Sequence, residues 1–435
     1  MSMATLAAAD ELRRIRGQAD ALHWIQLYAD ARAHTGFVDV RPRNAIVTDS
    51  AAAGSAWGCG VSVNVRSINT APDGAPYAPV CHIFQEQGKK TGLVSTARLT
   101  HATPASFAAT VPHRNQEDTI AEQYADRAVD VLLGGGNRHF AADQREDGVD
   151  LYRVYQQAGY TVLRRRQDLH AVRGTGPLLG VFSDGHLPYS LDRTNTPELA
   201  AHVPTLAEMT STALARLNEH PNGFLLQVEG ARVDHGAHGN DAGAMLYDQL
   251  AFDEAIGTVL RFVEGRDDTL VIITTDHATG NPALNRSLNG YPATLEAYER
   301  VGRLRYTNDW VLRGLSGDST VDTIRERVEA ATRVGLTLTE GKRLQAALRG
   351  THDVPYRMMA PPDATLGAIL ANYTSVGWTG TSHTTDYAPV LALGPGSELL
   401  QGFGRNTDLF WLMCDAAGVT DAVPTRQRQA ATAAG

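Results

Sequence analysis

The stretch QVEGARVDHGAHGND, residues 227–241, gathers Glu229, Asp234, His235 and His238 close together. If a helix begins near Arg232, Asp234 and His238 stand four apart on one face, a spacing with which two side chains reach one cation. A polar helix start with an acidic cap accounts for the same residues, and the stretch alone leaves both readings open. In VIITTDHATG, Asp276 and His277 close an apolar run. A carboxylate there is costly unless a cation or hydrogen-bond donors meet it; capping of a following helix is the alternative. His383, in the Gly/Ser/Thr-rich GTSHTTDYAPV, takes its weight only from the others.

Two further stretches suit an anion. LTHATPASFAATVPHR (99–114) sets His101 and Thr103 after an apolar run and Pro104 in the first turn of a predicted helix. It places Arg114 near that helix's far end, about three turns on. A guanidinium donates two parallel hydrogen bonds to a tetrahedral oxyanion, although a surface cation is the commoner fate of an arginine. In IVTDSAAAGSAWGCG (46–60), Ser50 stands at the start of a predicted helix of small residues. It is either the helix cap or a nucleophile set where helix amides and the positive helix end favour phosphate. Ala51, Ala52, Ala53 and Gly54 keep its approach open.

Elements must bring these stretches together. Val/Ile/Leu-rich runs at 90–96, 129–136, 160–163, 178–182, 223–230, 269–277 and 388–396 read as buried strands, alternating with helical stretches such as 205–220. The pattern predicts an α/β fold: a doubly wound, mostly parallel central sheet flanked by helices, with ligands beyond the carboxyl ends of the strands. One domain is expected over 1–435, with a polar, helical insertion at 286–361. GTGPLLG (174–180) precedes a strand and opens no helix, so it is no nucleotide loop. The Ala/Gln-rich segment after Pro424 reads as a frayed tail.

Composition bounds the partners. The 435 residues are 43% hydrophobic and 20% charged with a formal net charge of −9, which disfavours nucleic acid and anionic membranes. Cys59, Cys81 and Cys414 share no disulfide or zinc spacing, so any metal uses His and carboxylate. No apolar stretch reaches the roughly 20 residues of a membrane-spanning helix, and the first residues carry no export signal.

In chain order, Asp-Ser with its small residues and Trp57, HATPASF, LLGGG, VEG, VDHGAH, TTDH and the late His383 resemble the alkaline phosphatases nearly end to end. The resemblance implies an alkaline phosphatase-like fold and hydrolysis of small-molecule phosphate monoesters through a phosphoserine at Ser50, with Arg114 binding the substrate phosphate. It implies one zinc held by Asp234, His238 and His383, and a second zinc at Asp276 and His277. A third ion, typically magnesium, falls to Glu229 and Thr103, with His101 and His235 beside it at positions that alter its preference. A homodimer and an exported protein, periplasmic or extracellular, are the family's habit.

One family feature has no counterpart: an early Asp, in a turn after the first strand, that bridges the second and third metals. The expectation is that the chain starts at an internal methionine, lacks that central strand, leaves a gap in the sheet and hydrolyses slowly. The alternatives are a phosphodiesterase, against which Arg114 argues, and an impaired phosphate or metal binder.

Overall fold

The computed structural model describes residues 1–400 and 402–433. In chain order the strands are β1 (His34–Asp39), β2 (Lys90–Arg98), β3 (Val131–Gly135), β4 (Thr161–Leu163), β5 (Leu178–Val181), β6 (Phe224–Glu229) and β7 (Val271–Thr274). The two-residue strands β8 (Ala278–Thr279), β9 (Ala283–Leu284), β10 (Val376–Gly377) and β11 (His383–Thr384) follow, then β12 (Ala388–Leu393) and β13 (Gly402–Arg405). Every predicted apolar run contains a strand. Interior residues of β2, β3, β5 and β12 are buried, as expected of strands covered on both faces.

The strands form two principal sheets. The first is parallel throughout, in the order β4-β5-β3-β2-β6. The second has the order β13-β1-β12-β7 and is mixed: β1 runs parallel to β13, and β12 runs antiparallel to both β1 and β7. The α/β class stands, but the sheet is interrupted: among the described residues nothing pairs with the outer edge of β6 or of β7. β8 pairs with β11, and β9 with β10.

Helices cover the sheets. Leu206–Leu217 starts in a capping box formed by Thr205 and Glu208 and packs on β2 and the helix Ala242–Val263. The latter helix also anchors the amino-terminal segment: Asp253 accepts from the amides of His23 and Trp24, at 3.0 Å each. Within 286–361 lie the helices Thr294–Glu299, Asn308–Arg313, Val321–Thr332 and Leu338–Leu348. Ile324, Val328 and Leu344 bury their side chains against Leu366 and Ile369 of the helix Pro362–Thr374, forming a satellite core.

The carboxy-terminal segment corrects the expectation of a frayed tail. It forms the helix Thr425–Ala433, and buried Gln427 fixes it, donating to the carbonyl of Cys59 at 2.7 Å and accepting from the amide of Ala78 at 2.9 Å. A polar side chain thereby gives the segment partners that its composition does not reveal. The three cysteines are unpaired and buried. Among the described residues no helix is long and apolar enough to cross a membrane.

Candidate active site

β2, β6 and β7 deliver the candidate residues at their carboxyl ends. Glu229 ends β6; Asp276 and His277 follow β7; His101 and Thr103 follow β2 at the start of the helix Ala102–Ala108. Asp234, His235 and His238 lie on the short helix Arg232–His238. The pairing of β11 with β8, in which His383 faces Thr279, returns the late histidine to the same place.

Asp234, His238 and His383 form the one group of three metal-ligating side chains found among the described residues, with ligand atoms within 4.8 Å of one another. His238 Nδ1 donates to the carbonyl of Thr381 at 2.7 Å, and His383 Nδ1 to the carbonyl of Thr48 at 2.8 Å. A carbonyl only accepts, so each ring donates from Nδ1 and in its neutral form turns a lone pair inward on Nε2. The two Nε2 atoms lie 3.0 Å apart, and Asp234 Oδ2 is 3.4 Å from that of His238. Two facing lone pairs beside a carboxylate are a repulsive set on their own and a fitting one for a cation such as zinc. Burial opposes the charge on Asp234, yet His238, His277 and His383 hold its carboxyl well below the usual range.

His277 is fully buried and stacks on His383, ring centroids 3.6 Å apart. Its Nε2 lies 3.0 Å from Ser50 Oγ and 3.0 Å from Asp276 Oδ2. Burial lowers the affinity of this ring for a proton, but Asp276 and Asp234 outweigh it and raise its pKa. The amine of Met1, also buried, donates to Thr275 Oγ1 at 3.0 Å and to the carbonyl of His277. Glu229 accepts from Ser95 Oγ; burial nevertheless pushes the Glu229 carboxyl up to about 7, against the opposing effect of the Ser95 and Thr103 hydroxyls. Glu229 and Thr103 supply the oxygen donors suited to magnesium. No third ligating side chain closes around either of these two groups among the described residues.

Ser50 is the first residue of the helix Ser50–Cys59, and its cap is Asp49, which accepts from the amide of Ala52 at 3.1 Å. The serine is therefore not the cap: Asp49 already satisfies the helix amide, leaving the Ser50 hydroxyl to face His277. Arg114 also departs from expectation. The helix Ala102–Ala108 lasts only two turns, and Arg114 lies in the loop beyond it, its amide donating to the carbonyl of Arg66 at 2.8 Å. Its guanidinium donates to Asp49 Oδ2 and to His101 Nε2, each at 3.0 Å. Burial raises the Asp49 pKa, but the Arg66 amide, Arg114 and the Ala52 amide bring it below the ordinary value. One carboxylate thus fixes both the start of the serine's helix and the arginine.

His186 has no place in the sequence-based reading. It lies in the Gly-containing loop after β5, its ring centroid 4.2 Å from that of His235 and 5.3 Å from that of His101. Arg98 Nη1 is 2.7 Å from its Nε2, and Arg232 Nη1 is 3.0 Å from His235 Nδ1. Burial and nearby arginines push His101 down to about 3 and His186 down to about 2, and hold His235 well below its ordinary value. A His in a loop leaving a buried strand was the signal for His186. Thr279, which donates to Asp234 Oδ1, carried none.

Residues 1–419 match the sequence profile of a family described as alkaline phosphatase. Alkaline phosphatase 3 of Bacillus subtilis is 31% identical over 371 residues, covering 83% of this chain and 75% of the relative. The crystal structure of the Thermus thermophilus alkaline phosphatase superposes with a TM-score of 0.91 at 35% identity, covering 100% of this chain and 93% of that one. A more distant fold neighbour is a variant of the alkaline phosphatase of the Antarctic bacterium TAB5, solved with Mg bound in its M3 site. Its TM-score is 0.65 at 22% identity, over 94% of each chain.

Proposed function

The chain belongs to the alkaline phosphatase family of phosphoric monoester hydrolases, and on that premise we propose that it transfers the phosphoryl group of a monoester to Ser50 and then to water. The observation that carries this reading is the placement of the Ser50 hydroxyl at a helix amino terminus, 3.0 Å from His277 Nε2. Its capping neighbour Asp49 holds Arg114. The helix end favours the incoming dianion, and Arg114 offers its planar fork to the phosphoryl oxygens. Asp49 and His101 orient that fork before substrate arrives, so less ordering remains for the transition state.

In this reading Asp234, His238 and His383 hold one zinc, Asp276 and His277 a second, and Glu229 with Thr103 a magnesium ion beside His101 and His235. When bound, such cations lower the pKa of the serine hydroxyl and offset charge on the departing alkoxide. The reading also takes the protein to work outside the cytoplasm and as a homodimer, both on the family resemblance alone.

The test is hydrolysis of 4-nitrophenyl phosphate and its bis-aryl diester, with zinc and magnesium and with chelator. The monoester is expected to react faster, chelator to stop it, and acid quenching to trap one phosphoryl group on the peptide bearing Ser50, absent in Ser50→Ala. A faster diester refutes monoester specificity; undiminished turnover by Ser50→Ala refutes the nucleophile. A second reading, a metal and phosphate binder with weak turnover, is favoured by the two incomplete ligand groups at Asp276–His277 and Glu229–Thr103. It predicts zinc binding without a trapped phosphoserine.

A further inference from the structure

From Ser50 outward, three imidazoles form a graded row. The side chain of His277, 3.0 Å from Ser50 Oγ, is fully buried, and that of His383, stacked on it, is 15% exposed. The side chain of His238, whose Nε2 faces that of His383, is 37% exposed. Solvent therefore meets the site at His238, and Ser50 stands at the closed end. In an in-line displacement the leaving oxygen departs on the side of phosphorus opposite the nucleophile, so the alcohol reaches water past His238. At this open end the carbonyl of Thr381 accepts from His238 Nδ1 at 2.7 Å. Tyr356 and the short helix Arg357–Met359 lie against the same loop. Thr381 Oγ1 donates to the carbonyl of Met358 at 3.4 Å, and a Cβ added at Gly380 would stand 3.4 Å from the Tyr356 hydroxyl and 3.9 Å from Met358 Cε. Tyr356 is 52% exposed, and its hydroxyl donates to Met358 Sδ at 3.1 Å. A single exposed aromatic is ordinary on a protein surface, but one bordering the open end of a buried site is placed to meet what leaves it.

We propose that Tyr356, with Met358 beside it, is a specificity-determining lip that favours phosphate monoesters whose leaving group is a planar, uncharged aromatic alcohol. The inference deepens the reaction assigned to Ser50 and rests on it. A phenol ring offers a face on which another ring stacks, and a polarizable thioether adapts to an aromatic edge. A short polyol has no such surface and leaves both side chains in water. The lip belongs to the segment 286–361, so the preference is set by a part of the chain that holds neither Ser50 nor the metal-ligating residues. Once the ester P–O bond has broken and the alcohol has left, every substrate yields the same phosphoserine. Discrimination by Tyr356 therefore falls on kcat/KM, which covers the steps up to loss of the alcohol, and not on hydrolysis of the phosphoserine.

The test compares the wild-type full chain, Tyr356→Ala and Tyr356→Phe, each with zinc and magnesium, on 2-naphthyl phosphate and glycerol 1-phosphate. Tyr356→Ala is expected to lower the ratio of kcat/KM for the naphthyl ester to that for the glycerol ester about tenfold. Tyr356→Phe, which keeps the ring, should hold that ratio within about twofold of wild type. An unchanged ratio in Tyr356→Ala, the mark of a purely structural role, overturns the proposal, as does an equal fall in Tyr356→Phe. If wild type hydrolyses neither ester, the reaction assigned to Ser50 fails, and calorimetric binding of 2-naphthylmethylphosphonate against methylphosphonate reads Tyr356 by itself. There Tyr356→Ala should weaken the naphthyl compound about tenfold more than methylphosphonate. Equal weakening of the two, or none, overturns the inference.

Discussion

Replacing Gly58 by alanine sets two principles against each other. Gly58 lies inside the helix Ser50–Cys59, where alanine is favoured over glycine by about 1 kcal/mol in propensity alone. A Cβ at this position, however, would lie 1.9 Å from the carbonyl oxygen of Ser106, on the helix Ala102–Ala108. Ordinary contact begins near 3.4 Å, so the two helices must separate by about 1.5 Å. Overpacking of this kind costs about 1–3 kcal/mol. The same carbonyl accepts from Asn69 Nδ2 at 2.6 Å, and disturbing that buried bond costs about another 1–3 kcal/mol. After the propensity gain, Gly58→Ala is expected to lose about 3 kcal/mol, a fall of about 3 °C in melting temperature for a chain of this length. The separation also shifts Ser50 relative to Thr103, so kcat/KM for a phosphate monoester should fall about tenfold or more. Calorimetry and aryl phosphate kinetics read the two effects. An unchanged or raised melting temperature would show that helix propensity wins, refuting the reasoning.

Other expectations concern charge and metal. His383→Ala should abolish most of the zinc-induced rise in melting temperature, about 3 °C at a hundredfold excess over Kd, as read by calorimetric titration; an undiminished rise places zinc elsewhere. Glu117 accepts from Arg98 and Thr100 and pairs with His139; burial opposes its charge, but these partners hold its pKa well below the unfolded value of 4.5. Its contribution is therefore present above about pH 4.5 and lost on acidification. Glu117→Gln should cost about 3 kcal/mol at pH 7, the difference from wild type shrinking below pH 4.5; a gap constant with pH counts against it. Asp241 has the opposite sign. Burial raises its pKa from 3.8 to about 7, so the folded state holds a proton that the unfolded state has released, and stability falls as pH rises between those values. Asp241→Asn should remove that part of the slope in melting temperature between pH 5 and pH 8, and equal slopes in both proteins would exclude it.

Apolar runs revealed the strands because buried parallel strands leave nothing else in their sequence. β1 escaped: HTGFVD alternates buried and exposed positions, and β13, with sequence GFGR, is largely exposed. At the candidate site, the polar residues just past β6 and β7 were legible because a carboxylate at the end of an apolar run needs a reason. The orienting groups were not. The carbonyls of Thr48 and Thr381, which fix the tautomers of His383 and His238, belong to every residue alike and acquire a role only through folding. Asp49 was visible beside Ser50, but its hold on Arg114, across 65 residues, depends on a helix that ends earlier than its sequence suggested.

The two facing imidazoles have a consequence for the order of events in folding. His238 and His383 are separated by 145 positions, and the chain between them includes β7, β8 and the helices of the satellite core. Bringing the rings together closes a long loop, whose entropic cost falls on the folding chain. A cation seated between them would act as a reversible cross-link, tightening as the last ligand arrives. Uptake of the ion would then mark near-completion of the fold, and its removal would slacken the span between the two histidines first.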